Sequence, residues 1–195
     1  MIKSYRDYLT YLEADRIALG QRSTIRELLF DDVWKFERLL RKYEYLLNCK
    51  KNLFRRLFTA IRLRRLERAL GFSIPPNVFG PGLSIAHAGP IIVNAGAQIG
   101  SNCRIHVCVN IGASATNGSE VPVIGDNCYI GPGAKLFGNI VLGDNIAIGA
   151  NAVVNKSFPE GNVSIGGIPA KVISSKGSQG TPVKTGRSSS GDRES

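Results

Sequence analysis

A mostly β fold, a parallel solenoid of short stacked strands preceded by helices, is what this 195-residue chain predicts. Three observations carry the prediction. An aliphatic residue recurs on every sixth position, at Ile99, Ile105 and Ile111 and, after one break, at Ile124, Ile130, Leu136, Leu142, Ile148 and Val154. Glycine follows at Gly100, Gly112, Gly125, Gly131, Gly143 and Gly149, and four residues after the aliphatic the side chain is small, as at Cys103, Val109, Cys128, Ala134 and Ala152. The composition also changes at Phe72, where a helix-forming, charged stretch gives way to prolines, glycines and β-branched residues.

A six-residue period fits neither a helix nor an ordinary hairpin. It suits short strands joined by tight corners, each strand stacked in register on the next coil, with the aliphatic column inside and glycine where the backbone turns. Such a solenoid buries its apolar face only against neighbouring coils, so it must run for several coils and be capped. We therefore expect a helical domain over residues 1–72, the solenoid over 73–173 and a flexible tail over 174–195. That tail is rich in serine, glycine and lysine and lacks the apolar content to pack.

Three helices are expected before the solenoid. Ser4 to Leu19 supplies a short one. Thr24 with Glu27 reads as a capping box, and Leu29, Val33, Phe36, Leu40, Tyr43 and Leu47 then step by three and four residues, predicting one long helix from about Thr24 to Leu47. A further helix from about Lys51 to Leu70 offers Phe54, Leu57, Phe58 and Ile61 as a packing face and stops at Gly71.

The net charge of +10 is uneven. Residues 1–70 carry 17 basic and 9 acidic side chains, residues 71–170 carry 3 and 4, and residues 171–195 carry 5 and 2. The solenoid is thus nearly neutral. In the last helix Lys50, Lys51, Arg55, Arg56, Arg62, Arg64, Arg65 and Arg68 face one acidic residue, Glu67. This suits attraction to an anionic membrane surface, an acidic polymer or nucleic acid, or else a solvated face that keeps an oligomer soluble. No aromatic platform interleaves with these charges as single-strand recognition would need.

No apolar run approaches bilayer length, and Met1 to Thr10 has charges at Lys3, Arg6 and Asp7 with no apolar signal core, so a cytoplasmic chain is expected. Cys49, Cys103, Cys108 and Cys128 show no metal-type spacing. Cys103 and Cys128 fall in the small-residue column and read as buried packing.

The irregularities of the ladder point to chemistry. The step from Ile111 to Ile124 is two repeats plus one residue, so a polar loop over 113–122 must leave the solenoid there. Only His87 and His106 could act as bases near neutral pH. Counting back by sixes from Ile99 gives Val93 and then His87, which places a polar ring in the phase of the buried aliphatics. Either the first coil is irregular or the ring is placed for a purpose. His106 occupies the place after Ile105 where other repeats have glycine, and reads as a surface or interface histidine.

The ladder, Ile85-Ala-His-Ala-Gly89, the corner Asn110-Ile-Gly112, the run Tyr129-Ile-Gly-Pro-Gly-Ala-Lys-Leu-Phe-Gly-Asn139 and the close Gly166-Gly-Ile-Pro-Ala-Lys171 resemble the serine acetyltransferase branch of the left-handed β-helix, or hexapeptide-repeat, acyltransferases. The resemblance implies an acetyl-CoA-dependent O-acetyltransferase, a homotrimer or dimer of trimers, with each site in a groove between neighbouring solenoids and no metal. His87 matches the family's catalytic base. Gly112, Gly131, Pro132 and Ala150 match corners that approach the pantetheine arm, and Lys156 and Lys171 match basic positions near the nucleotide phosphates. Asn110 and Glu120 fall where acceptor contacts are expected.

The chain departs from the family pattern around the acceptor. Ala86 stands where the family has an aspartate before the histidine, Ser73 stands about where a histidine-orienting aspartate falls, and Glu120 and Val121 replace an arginine and a histidine. A glutamate in place of a carboxylate-binding arginine reverses the pocket's electrostatics. The acceptor is therefore expected to be serine or a sugar hydroxyl of a surface or capsular polysaccharide. The competing readings are a non-catalytic β-helix scaffold and a zinc hydratase on the same scaffold, which needs three histidines and has only two here.

Overall fold

The computed structural model describes residues 1–20, 30–50 and 52–178. Among the described residues three helices come first: α1 (Tyr5–Leu19), α2 (Asp32–Cys49) and α3 (Leu53–Leu70). Side chains cap each start, with Ser4 accepting from the Asp7 N–H, Asp31 from Trp34 and Asn52 from Arg55. Gly20 and Gly71 close α1 and α3 in the left-handed conformation that glycine adopts without a Cβ penalty. The Thr24–Glu27 capping box lies outside the described residues. The expected single helix from Thr24 is corrected: Asp31 is extended (φ −85°, ψ 102°) and starts α2 afresh.

From Phe72 the chain winds as a parallel β-helix of triangular section. Its first face carries β1 (Phe72–Ser73), β3 (Ile91–Val93), β6 (Asn110–Gly112), β9 (Lys135–Phe137) and β12 (Val153–Val154). The second carries β4 (Gln98–Ile99), β7 (Val123–Ile124) and β10 (Val141–Leu142), extended by single bridges at Phe79 and Phe158. The third carries β2 (Ser84–Ile85), β5 (Arg104–Ile105), β8 (Tyr129–Ile130), β11 (Ala147–Ile148) and β13 (Ser164–Gly166), and ends with an antiparallel β14 (Lys171–Ser174).

Register follows the ladder. Ile85, Ile105, Ile130, Ile148 and Ile165 stack on the third face, Val93, Ile111, Leu136 and Val154 on the first, and Ile99, Ile124 and Leu142 on the second. All are buried, as are Cys103, Val109, Cys128, Ala134 and Ala152. The Cys103 thiol donates to the Gly125 carbonyl, and its hydrogen bond with Cys128 and its burial push it well up, so it is a packing group.

The glycines that follow the aliphatics have another role than the one expected. Left-handed corner positions are held by Gly82 and Gly133 and by Asn102, Asn127, Asn145 and Asn162, the last four with φ values between 53° and 57°. Their amides form ladders, Asn102 to Asn127 at 3.2 Å and Asn145 to Asn162 at 2.9 Å. The glycines after the aliphatics serve close stacking instead. A Cβ on Gly125 would lie 2.8 Å from backbone atoms of Gly143 and Asp144, and one on Gly131 would lie 2.5 Å from the Ile148 carbonyl oxygen.

The first coil has no coil beneath it, and the helices supply the missing partners. Arg41, fully buried, donates to Asp15 at 2.7 and 3.2 Å, to Glu44 at 3.0 Å, and to the carbonyls of Phe79 and Gly80 at 3.0 and 2.7 Å. Asp15 accepts the N–H groups of Gly82 and Leu83, Glu44 that of Asn77, and Glu37 that of Ile85. An open strand edge is thereby closed by side chains rather than by another strand. At the other end, within the stretch expected to be flexible from 174, Ser174 pairs with Ser164, and Ser178 is buried with its N–H donated to the Asn145 carbonyl.

Candidate active site along one edge of the prism

The stacking register decides which sequence-distant residues become neighbours. Because Ile85, Ile105, Ile130, Ile148 and Ile165 align, the residues one further on, Ala86, His106, Gly131, Gly149 and Gly166, form a column at the edge where the third face turns into the first. The next positions, His87, Val107, Pro132, Ala150 and Gly167, form a second column beside it. His87, Pro132 and Ala150 are exposed there. Lys171, also exposed, pairs with Gly166 and so reaches the same edge at its far end. Coils stack about 4.8 Å apart, so this edge is long enough for an extended chain-like ligand.

The expected phase of His87 is corrected. Ile85, not His87, fills the aliphatic column; Val93 follows eight residues later instead of six, and the two extra residues push His87 out onto the corner. The first coil is irregular, and the irregularity exposes the imidazole. Glu37 holds the Ile85 N–H at 3.1 Å, two residues before His87, and so fixes the strand that presents it. Burial, and then the neighbouring Asp15 charge, raise the Glu37 pKa well above the ordinary carboxylate range. Its second oxygen has no hydrogen-bond partner among the described residues.

His106 sits one coil along. Its ring lies 4.9 Å from Tyr129, tilted by 57°, and its Nε2 is buried with no partner among the described residues. Burial, Arg104 and His87 lower its pKa, so it favours the neutral imidazole. Residue spacing gave no sign of this proximity, because the two-residue insertion hides the Ile85–Ile105 register.

Other expected site residues lie elsewhere. Gly112 ends β6 and Lys156 follows β12, both at the edge between the first and second faces, and the Lys156 ammonium sits 5.6 Å over the Phe158 ring. A Cβ on Gly112 would meet nothing closer than the Asn110 amide oxygen at 3.5 Å. The 113–122 loop leaves from this edge and folds on itself: Glu120 accepts from the Asn117 amide at 3.3 Å, and its carbonyl accepts the Ser114 N–H. Asn110 is exposed on the first face between the two edges. Within one chain, then, His87, Gly131, Pro132, Ala150 and Lys171 share one edge, while Gly112, Glu120 and Lys156 share another. Ser73 is exposed in β1.

Comparison with known proteins places this geometry. The bacterial transferase hexapeptide family (six repeats) matches residues 122–156. Serine acetyltransferase of Synechococcus elongatus is 34% identical over 124 residues, covering 62% of this chain and 50% of that protein. The Helicobacter pylori serine acetyltransferase is 35% identical over 112 residues, covering 56% and 66%. The structure of Brucella abortus serine acetyltransferase in complex with coenzyme A superposes with a TM-score of 0.74 at 27% identity, over 89% of this chain and 70% of that one. This chain is similar to the serine acetyltransferases of the hexapeptide-repeat type.

The β-helix is accordingly left-handed, as in these solved structures. A serine acetyltransferase of Neisseria gonorrhoeae in complex with serine also superposes, with a TM-score of 0.70 at 27% identity over 88% of this chain and 71% of that one. The chain spans about half the length of the curated relatives it matches, 50% for the Synechococcus protein and 43% for that of Mycobacterium tuberculosis. Among the described residues no group of three or more His, Cys, Asp or Glu is arranged to hold a metal ion.

Proposed function

We propose that this chain is an acetyl-CoA-dependent O-acetyltransferase that uses His87 as general base, works as a homotrimer, and places each site between neighbouring solenoids. One observation carries the reading: the exposed column of His87, Pro132 and Ala150 on one edge of a fold whose relatives are serine acetyltransferases, one of them solved with coenzyme A. An exposed corner imidazole can take the proton of an acceptor hydroxyl. The hydroxyl oxygen then attacks the thioester carbonyl, the C–S bond breaks, and the imidazolium returns the proton to the departing thiolate, leaving an acetyl ester and CoA. No protein nucleophile takes part.

Small or ring-restricted groups at Gly131, Pro132 and Ala150 leave room for a pantetheine arm along this edge, and Lys171 stands at its end for the phosphates. Gly112 and Lys156 lie on the other edge, so a groove that uses both sets needs two copies, the edge of one facing the other edge of its neighbour. A head-to-tail contact of this kind closes as a ring, and three copies of a triangular prism suit it. In this reading the helical residues 1–72 cap the catalytic β-helix of 73–173.

For the acceptor we favour a neutral sugar hydroxyl of a surface polysaccharide over free serine. Ala86 offers an ammonium group nothing, and Glu120 repels a carboxylate. The test is CoA release measured with serine and with capsule-type glycans side by side. Turnover of serine at ordinary enzyme efficiency overturns the glycan choice. His87→Ala should cut turnover by about 10²- to 10⁴-fold with CoA binding kept, and an unchanged rate removes His87 from the mechanism.

A further inference from the structure

The apolar residues expected to pack α3 against α2 point the other way. Thr59, Leu63, Glu67 and Leu70 face inward, whereas Leu53, Phe54, Leu57, Phe58 and Ile61 are exposed, Phe54 by 86%. These five occupy one outward arc over the first half of α3. The same outward side carries Arg62, Arg64, Arg65 and Arg68 over the second half, all exposed. The guanidinium of Arg62 lies over the Phe58 ring at 5.7 Å, so charge and apolar surface are contiguous.

Two grooves flank this side. A cavity of about 620 Å³ between the helices is lined by Lys35, Lys42, Arg62 and Arg65 around an apolar floor that includes Leu39 and Leu66. The carboxylate in its lining, Asp32, is already bonded to Lys35 at 2.8 Å. A smaller one of about 310 Å³ lies between Lys42, Tyr45, Arg55 and Phe58.

We infer that the outward side of α3 docks on an anionic phospholipid bilayer, lying flat in its interface. A helix with large apolar side chains on one outward arc and arginines beside them suits headgroup phosphates above acyl chains. Charge decides against a second copy: α3 has six arginines against Glu67, which is buried and within 3.5 Å of Arg64, so pairing this face with itself sets cations against cations. A soluble polyanion would use the arginines and leave Phe54, Leu57 and Phe58 in water. No described helix is long and apolar enough to cross a membrane, so contact is at the surface. The inference does not depend on the acetyl-transfer chemistry.

The test is co-sedimentation of the full chain with vesicles of phosphatidylcholine alone and of phosphatidylcholine mixed with phosphatidylglycerol. Binding is expected to the mixed vesicles only, to fall with salt, and to weaken about fivefold for each of Arg64→Ser and Arg68→Ser. Phe54→Ala with Phe58→Ala should weaken it by about tenfold or more. These positions are exposed, and helical circular dichroism confirms that the variants fold. Equal binding to both vesicle types, or none, overturns the inference. Full binding by the double Phe variant overturns it in favour of a polyanion site. A change in its mass by light scattering, with vesicle binding intact, overturns it in favour of self-association.

Discussion

Replacing Arg41 by Met should strip the cap from the first coil without touching the rest of the solenoid. The methionine fills most of the volume but donates nothing. Asp15 and Glu44 are left buried without their cation, and the carbonyls of Phe79 and Gly80 lose their donors. Breaking a buried pair by removing one partner costs about 3–5 kcal/mol, and each stranded carbonyl adds about 1 kcal/mol or more. Taking roughly 5 kcal/mol for the whole, and about 2–4 °C per kcal/mol for a chain of this size, the unfolding midpoint should fall by about 10–20 °C.

Hydrogen exchange locates the damage. The amides of Asn77, Gly82, Leu83 and Ile85 donate to the carboxylates around this cap and should lose protection first, while those of Ala147 and Tyr129, hydrogen-bonded between later coils, should keep it. A midpoint within about 1 °C of the parent, on the same scale of a few degrees per kcal/mol, refutes the capping argument. Uniform loss of protection along the solenoid would show instead that the coils unfold as one unit and that the cap is not local.

Glu37→Gln tests the same region by pH. Folded Glu37, raised by burial, keeps its proton to higher pH than the unfolded chain, whose ordinary value is 4.5. This contribution to stability is present below that pH and is lost as pH rises toward the folded value. The variant keeps the acceptor for the Ile85 N–H, so its melting temperature should match the parent near pH 4 and exceed it at pH 8, and a pH-independent difference contradicts the buried acid. Gly125→Ala should lower stability by about 1–3 kcal/mol because its Cβ meets backbone, whereas Gly112→Ala should leave the melting temperature unchanged and raise KM for acetyl-CoA. Equal melting losses in the two glycine variants would sink that distinction.

The ladder was legible because each buried position repeats: a residue such as Ile130 is predicted by its neighbours as much as by itself. What periodicity could not show is a local change of period. Two residues between Ile85 and Val93 shift His87 from the interior to the corner, and they hide its alignment with Pro132 and Ala150 and its closeness to His106. The cap was illegible for another reason. Asp15, Glu37, Arg41 and Glu44 look like ordinary charged helix residues, and only the open edge of a solenoid that must end somewhere makes them structural. In α3 apolar residues occupy both sides, so the sequence offered two packing faces, and the positions of α2 and the first coil chose between them.

The distribution of the candidate site follows from the prism itself. A triangular solenoid offers three edges, and a ligand that touches two of them must cross a face or lie between two molecules. The first face turns Ile92, Asn110, Lys135 and Phe137 outward between the His87 edge and the Gly112 edge. The 113–122 loop projects from the Gly112 edge and carries Glu120 away from its own His87, which makes it a wall for a neighbour's site in the arrangement proposed above. Mixing His87→Ala chains with chains altered at Glu120 should then restore sites that neither variant forms correctly alone. Activity of the mixture equal to the average of the two variants would return the whole site to one chain.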